Sequence, residues 1–92
     1  MRFKFDKQKS VALRANPKRG IGFEEAQEVF DHPYYLDRRE DPSEQYRAIG
    51  WVSGHLYSVI YEFREDAQGE YYHLVTLWKA TTQELKLYEE NL

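Results

Sequence analysis

The chain contains no cysteine. Disulfide bonds, thiol nucleophiles and thiolate metal sites are excluded, so the fold is held by non-covalent contacts alone. Long apolar runs are missing too. No stretch approaches the roughly 18 hydrophobic residues of a bilayer-crossing helix. The basic opening segment has no apolar centre like that of a secretory leader, and a cytoplasmic location is the default expectation. Histidine is scarce: His32, His55 and His73 stand far apart, none in an H-x-x-E pattern. Such spacing offers no metal site and implies no cofactor. Lys18-Arg19-Gly20-Ile21-Gly22 is basic and glycine-bearing, but it lacks the strand-loop-helix setting of a phosphate loop.

What the chain has in quantity is aromatic side chains and an uneven charge. Its 92 residues suit one domain with a thin core. Eight Tyr, five Phe and two Trp make up 16% of the chain. Rings at this density serve as core filler or as interface anchors. Residues 1–19 hold seven cations against one carboxylate, Asp6, for a net +6, whereas the remainder holds six cations and fifteen carboxylates, for −9. That split can set a positive field on an acidic protein, facing nucleic acid or an acidic partner. Alternatively, neighbouring Glu side chains close it into an ordinary solvated face.

Periodicity predicts an α+β domain. Arg2–Phe5 alternates as a short strand, Asp6 can cap a helix over Lys7–Ala15, and Val11, Ala12 and Ala15 form that helix's expected apolar face. Pro17 ends it. Phe23–Phe30 predicts a second helix with Phe23, Ala26 and Phe30 on one stripe. Tyr34–Leu36 reads as a short extended piece, and Asp37–Glu44, with Pro42, as a loop. Strands over Gln45–Val52, His55–Phe63 and Tyr71–Lys79 form an antiparallel meander, with Ser53-Gly54 as a tight turn and Arg64–Gly69 as a charged connection. Alternation places Tyr72 and Trp78 on one face of the last strand, where they pack in the core or stack on bases. Thr81-x-x-Glu84 is a capping box opening a final helix whose stripe is Leu85, Tyr88 and Leu92. The expected layout packs two short N-terminal helices and a C-terminal helix on one face of an antiparallel sheet.

Among reactions open to a chain without metal ligands is RNA cleavage. It needs a base for the 2′-hydroxyl, an acid for the leaving oxygen and cations for the phosphorane. Several stretches bear on this reading. They are Phe5-Asp6-Lys7-Gln8-Lys9, Lys18-Arg19-Gly20-Ile21-Gly22-Phe23-Glu24-Glu25-Ala26, and Val29-Phe30-Asp31. Further along come Ala48-Ile49-Gly50, Tyr61-Glu62-Phe63-Arg64, and Ala80-Thr81 with Glu84 and Tyr88. In this order the chain resembles the BrnT family of ribonuclease toxins from type II toxin–antitoxin systems. The resemblance implies a RelE-like fold, RNA as substrate, and a cognate antitoxin protein as partner in a hetero-oligomer or beside a homo-oligomer.

The resemblance also implies site residues. Lys9 matches the lysine of an opening W-D-x-x-K pattern in which Phe5 replaces Trp. Lys18-Arg19-Gly20 stands at Lys-His-Gly, and Arg64 at the arginine of Y-T-E-R. In the last strand His73 and Trp78 stand where arginines are usual, Lys79 at a third arginine, and Gly50-Trp51 at Gly-Arg. Lysine lacks the bidentate fork of arginine. The implied catalytic set is His73, Arg64 and Lys79, with Lys9, Lys18 and Arg19 on RNA. Histidine titrates near neutrality, which makes His73 the proton-transfer candidate. The bland reading makes these residues surface charge, an Arg64 paired to Glu65 or Asp66, and a strand histidine. The altered cation set also allows a non-catalytic or attenuated protein-binding module.

Overall fold

Asp6 caps the first helix, its Oδ1 accepting from the Lys9 N–H at 3.1 Å. The computed structural model describes residues 1–41 and 44–92. Its elements are β1 (Arg2–Lys4), α1 (Lys7–Ala15), α2 (Phe23–Ala26) running into a 3-10 turn (Gln27–Asp31), β2 (Tyr35–Arg38), β3 (Gln45–Val52), β4 (His55–Asp66), β5 (Gly69–Lys79) and α3 (Thr82–Asn91). The five strands form one sheet in the order β1-β5-β4-β3-β2. The α+β class and the β3–β5 meander match the sequence reading.

The sheet is mixed rather than antiparallel, because β1 joins β5 in parallel. Alternation in Arg2–Phe5 carries no information about a partner some seventy positions away. Aromatic packing fixes it: Phe3 stands opposite Tyr72, and its ring meets Tyr72 at 5.7 Å and Phe30 at 5.5 Å. The predicted loop over Asp37–Glu44 is also shortened. Asp37 and Arg38 belong to β2, opposite Arg47 and Tyr46, and Pro42 lies outside the described residues. The predicted connection Arg64–Gly69 is mostly strand, and the β4–β5 ladder runs out to Asp66 opposite Gly69.

Helices cover both faces of the sheet. On one face α1, α2 and the 3-10 turn enclose Phe23, Ala26, Val29, Ala48, Val59 and Leu77, all fully buried. Burial of each large side chain contributes about 1.5–3 kcal/mol. On the other face lie Arg47, Trp51, Trp78 and α3, joined through Glu84 and Tyr88. The expectation that all helices share one face therefore fails. Arg47 and Trp51 alternate with the core residues Ala48 and Val52, so whatever binds them must lie across the sheet. Within α3 the buried residue is Glu84, at 5% exposure, while Leu85 and, just past the helix end, Leu92 are exposed.

Helix α1 also turns a different side inward from the one predicted. Val11 is exposed, and Ser10 is the buried residue. Ser10 Oγ donates to Glu24 Oε1 at 2.5 Å and accepts the Phe23 N–H at 2.8 Å, which ties α1 to the start of α2. Gly22 makes this corner close. A Cβ there would stand 2.5 Å from Ser10 Oγ and 2.9 Å from the Ser10 carbonyl.

A β-bulge shifts β5 by one residue. Ile60 faces Thr76 and Tyr61 faces Leu74, leaving Val75 as the extra residue. Leu74 and Leu77 thereby reach the same core. Tyr72 and Trp78, expected on one face, lie on opposite faces. Tyr72 packs against Phe3, Phe30 and Tyr61, whereas Trp78 donates to Glu84.

Candidate functional site

On the α3 side of the sheet, the outer part of the β4–β5 hairpin carries a cluster of polar residues. Glu62 and Arg64 alternate outward on β4, and the long hairpin sets His73 opposite Glu62 and Tyr71 opposite Arg64. In the parallel ladder Lys4 stands beside His73. The Lys4 ammonium lies 2.6 Å from Asp66 and 4.6 Å from the Tyr71 ring centroid. Arg64 is not held by Glu65 or Asp66. Its Nε donates to Glu62 Oε1 at 2.9 Å, and its Nη2 reaches the same oxygen. Glu62 also accepts from Gln45 Nε2 at 3.1 Å. Asp66 instead binds Arg2, at 2.7 Å, and Lys4.

These placements set the charge of the site at neutral pH. The Gln45 amide, with Arg64, holds the Glu62 carboxyl below its ordinary range, so it is ionised. His73 is half-buried. Burial pushes its pKa down first, the positive charges of Arg64 and Lys9 add to this, and Glu62 opposes them. The imidazole is consequently neutral near pH 7 and able to accept a proton. Arg2 and Lys4 hold the Asp66 carboxyl far below the carboxylate range.

The six residues singled out in the sequence fall into two groups. Arg64 and His73 form one, since His73 stands opposite Glu62 and Arg64 follows two places on along the same side of β4; Lys9 joins them only through its charge, which helps lower the His73 pKa. Lys79 is not part of it. Lys79 faces Tyr57 in the ladder while His73 faces Glu62, five β4 positions apart and so roughly 17 Å along the strand. Arg19 and Lys18 lie at the Lys79 end. Tyr57 donates its hydroxyl to the Arg19 carbonyl at 2.6 Å, and Arg19 Nε is buried without a hydrogen-bond partner among the described residues. Glu62, Tyr71 and Lys4 border His73 and were missed in the sequence. The signal was there as alternation over 62–64 and 71–73, but reading it required that the hairpin extend through the charged segment.

The opening basic segment is partly neutralised. Asp66 takes Arg2 and Lys4, and Glu24 and Glu25 take Arg14. Among the described residues Lys9, Lys18, Arg19 and Lys79 make no ion pair with a carboxylate. The far end of the same face is closed by a buried polar hub. Glu84 accepts from Arg47 Nη1 at 3.2 Å, from Trp78 Nε1 at 3.0 Å and from the Thr81 N–H at 2.9 Å. Arg47 also binds Asp37 through Nε at 3.0 Å. Trp78 thus acts here as a fixed donor that anchors α3.

Among the described residues no three His, Asp or Glu side chains are grouped to hold a metal ion, and no helix is long and apolar enough to cross a membrane. Compared with known proteins, the chain matches no family model and no curated protein.

Proposed function

We propose that this domain is an RNA-cleaving toxin of the BrnT type, RelE-like in fold, that acts without a metal and is neutralised by a cognate antitoxin. The observation that carries the reading is the group around His73: a half-buried imidazole opposite Glu62, with Arg64 and Tyr71 the next outward pair of the same hairpin. In the proposed reaction His73 removes the proton of a ribose 2′-hydroxyl. The 2′-oxygen bonds to the adjacent phosphorus, the bond from phosphorus to the 5′-oxygen breaks, and Tyr71 supplies the proton to that oxygen. Arg64 and Lys9 stabilise the extra negative charge on the phosphorane. The ordered motif resemblance supplies the substrate class, and Lys9, Lys18, Arg19 and Lys79, which make no ion pair with a carboxylate among the described residues, are in keeping with a polyanion. Purified protein incubated with RNA in EDTA should cleave it, and His73→Gln should not. Intact RNA at large enzyme excess would overturn the assignment.

A second reading has its own support. Arg64 is engaged by Glu62, and Lys79 stands roughly 17 Å from His73, so the three-residue clamp expected from the sequence is not assembled. On this reading the domain is a non-catalytic or attenuated protein-binding module. Expression of the chain alone separates the two: arrested growth supports the toxin, and normal growth with soluble, folded protein supports the module.

A further inference from the structure

The two sides of the β4–β5 hairpin carry the same chemistry in different states. On the α3 side, Tyr71 and Asp66 hold cations from the chain itself. Arg2 and Lys4 lie over the Tyr71 ring, 5.5 and 4.6 Å from its centroid, and both bind Asp66. Arg64, on that side too, is taken by Glu62.

The opposite side has rings and carboxylates with no such cations. Phe63 faces Tyr72 in the ladder, and two residues further out Glu65 faces Glu70 on the same side. The Phe63 and Tyr72 ring centroids are 5.7 Å apart. Tyr72 continues into Tyr61, 4.5 Å away, and Tyr61 stacks on Tyr46. Phe30, near the end of the 3-10 turn, covers Tyr61 and Tyr72 and leaves Phe63 48% exposed. Glu65 and Glu70 are exposed, and neither makes an ion pair among the described residues. Like charges directly opposite in an antiparallel pair are destabilising, so this pair lowers stability until a cation meets it.

Rings beside two uncompensated carboxylates select a cation. An arginine or lysine is drawn to a ring face within about 6 Å of the centroid and to a carboxylate at the same time. Tyr71 and Asp66 are that arrangement already filled. Arg38 repeats half of it at the inner border of the patch, 5.7 Å from the Tyr46 centroid. The carboxylates repel phosphate, which excludes RNA as the occupant. A second copy would have to present its own basic side, a head-to-tail contact that builds rings or open chains rather than a closed pair.

We propose that the Phe63–Tyr72 side of the hairpin docks a basic, partly apolar segment of a partner protein, with an apolar side chain over Phe63 and an arginine or lysine between Glu65 and Glu70. This rests on the protein partner common to both readings above and not on the RNA chemistry. It sets that partner across the sheet from His73.

The test titrates the whole chain with a capped peptide of alternating arginine and leucine, followed by NMR amide shifts. Shifts should centre on Phe63, Glu65, Glu70 and Tyr72, and the same peptide with glutamate for arginine should cause none. Phe63→Ser should weaken binding about tenfold. Glu70→Lys pairs with Glu65, so the free domain should melt about 3 °C higher and yet lose the peptide. A purely structural residue would not move stability and binding in opposite directions. Glu89→Gln with Glu90→Gln, at exposed positions on α3, should leave binding unchanged. If the shifts gather on α3, or Phe63→Ser and Glu70→Lys bind as well as the wild type, the surface is wrong. If sedimentation shows the free chain self-associating and Phe63→Ser abolishes this, the occupant is a second copy and the proposal is wrong. Phe63→Ser leaves the His73 side intact, so RNA cleavage by this variant tests the toxin reading separately.

Discussion

Arg47 Nη1, on β3, donates to the buried carboxylate of Glu84, on α3, at 3.2 Å. The two residues are 37 positions apart, and their contact fastens the last helix to the sheet. Glu84 was legible in the sequence as half of a capping box, and that box is present. What the sequence did not show is that the same carboxylate also accepts from Trp78 and Arg47. Glu84→Ala should cost about 3 kcal/mol, because it leaves buried donors without an acceptor. Glu84→Gln keeps an acceptor oxygen and should cost less. Urea unfolding of both variants measures the difference.

The corner between α1 and α2 is equally specific. Gly22→Ala would set a methyl group 2.5 Å from Ser10 Oγ, and Ser10 is fully buried with its hydroxyl committed to Glu24 and Phe23. Overpacking of this kind costs about 2 kcal/mol. In a domain of this size that lowers Tm by roughly 10 °C, which calorimetry will show.

His73 should titrate below its ordinary value of 6.5. Folding lowers this pKa, so the unfolded chain holds the proton more tightly. The group's contribution to stability is whole above the unfolded pKa, near 6.5, and is lost as pH falls through that value toward the folded pKa. NMR titration of the imidazole should give a midpoint under 6.5 in the wild type. In Arg64→Ala the midpoint should move up, since a neighbouring positive charge is removed.

Kinetics separate the two residue groups. If His73 is the general base, His73→Gln should lower the rate at saturating RNA about 100-fold, within the usual range for such groups. Lys79→Ala should raise the RNA concentration needed for half-maximal rate and leave the saturated rate unchanged. Equal losses of saturated rate in both variants would put Lys79 back in the chemistry.

Deletion of Val75 tests the bulge. Without the extra residue, Leu74 and Leu77 cannot both face the core, because a one-residue slip reverses every side chain beyond it. The variant should lose cooperative unfolding, while Val75→Ala should keep it.

The sequence by itself determined the features set by near neighbours. These are the Asp6 and Thr81–Glu84 caps, the span of α1, the Ser53-Gly54 turn and the strands of the meander. Each depends on hydrogen bonds or steric limits a few residues apart. Only the tertiary structure decided which face α3 covers, that β1 runs parallel to β5, that Val75 is the bulge, and that Ser10 rather than Val11 is buried. It also decided the partners of the charges. Arg2 finds Asp66 across 64 positions, and Arg64 finds Glu62 because alternation puts both on one side of β4. The candidate site divides for the same reason. Of the six residues named from motif order, His73 and Lys79 stand roughly 17 Å apart along the strand, because the distance between strand positions follows from register, and register is a property of the paired sheet.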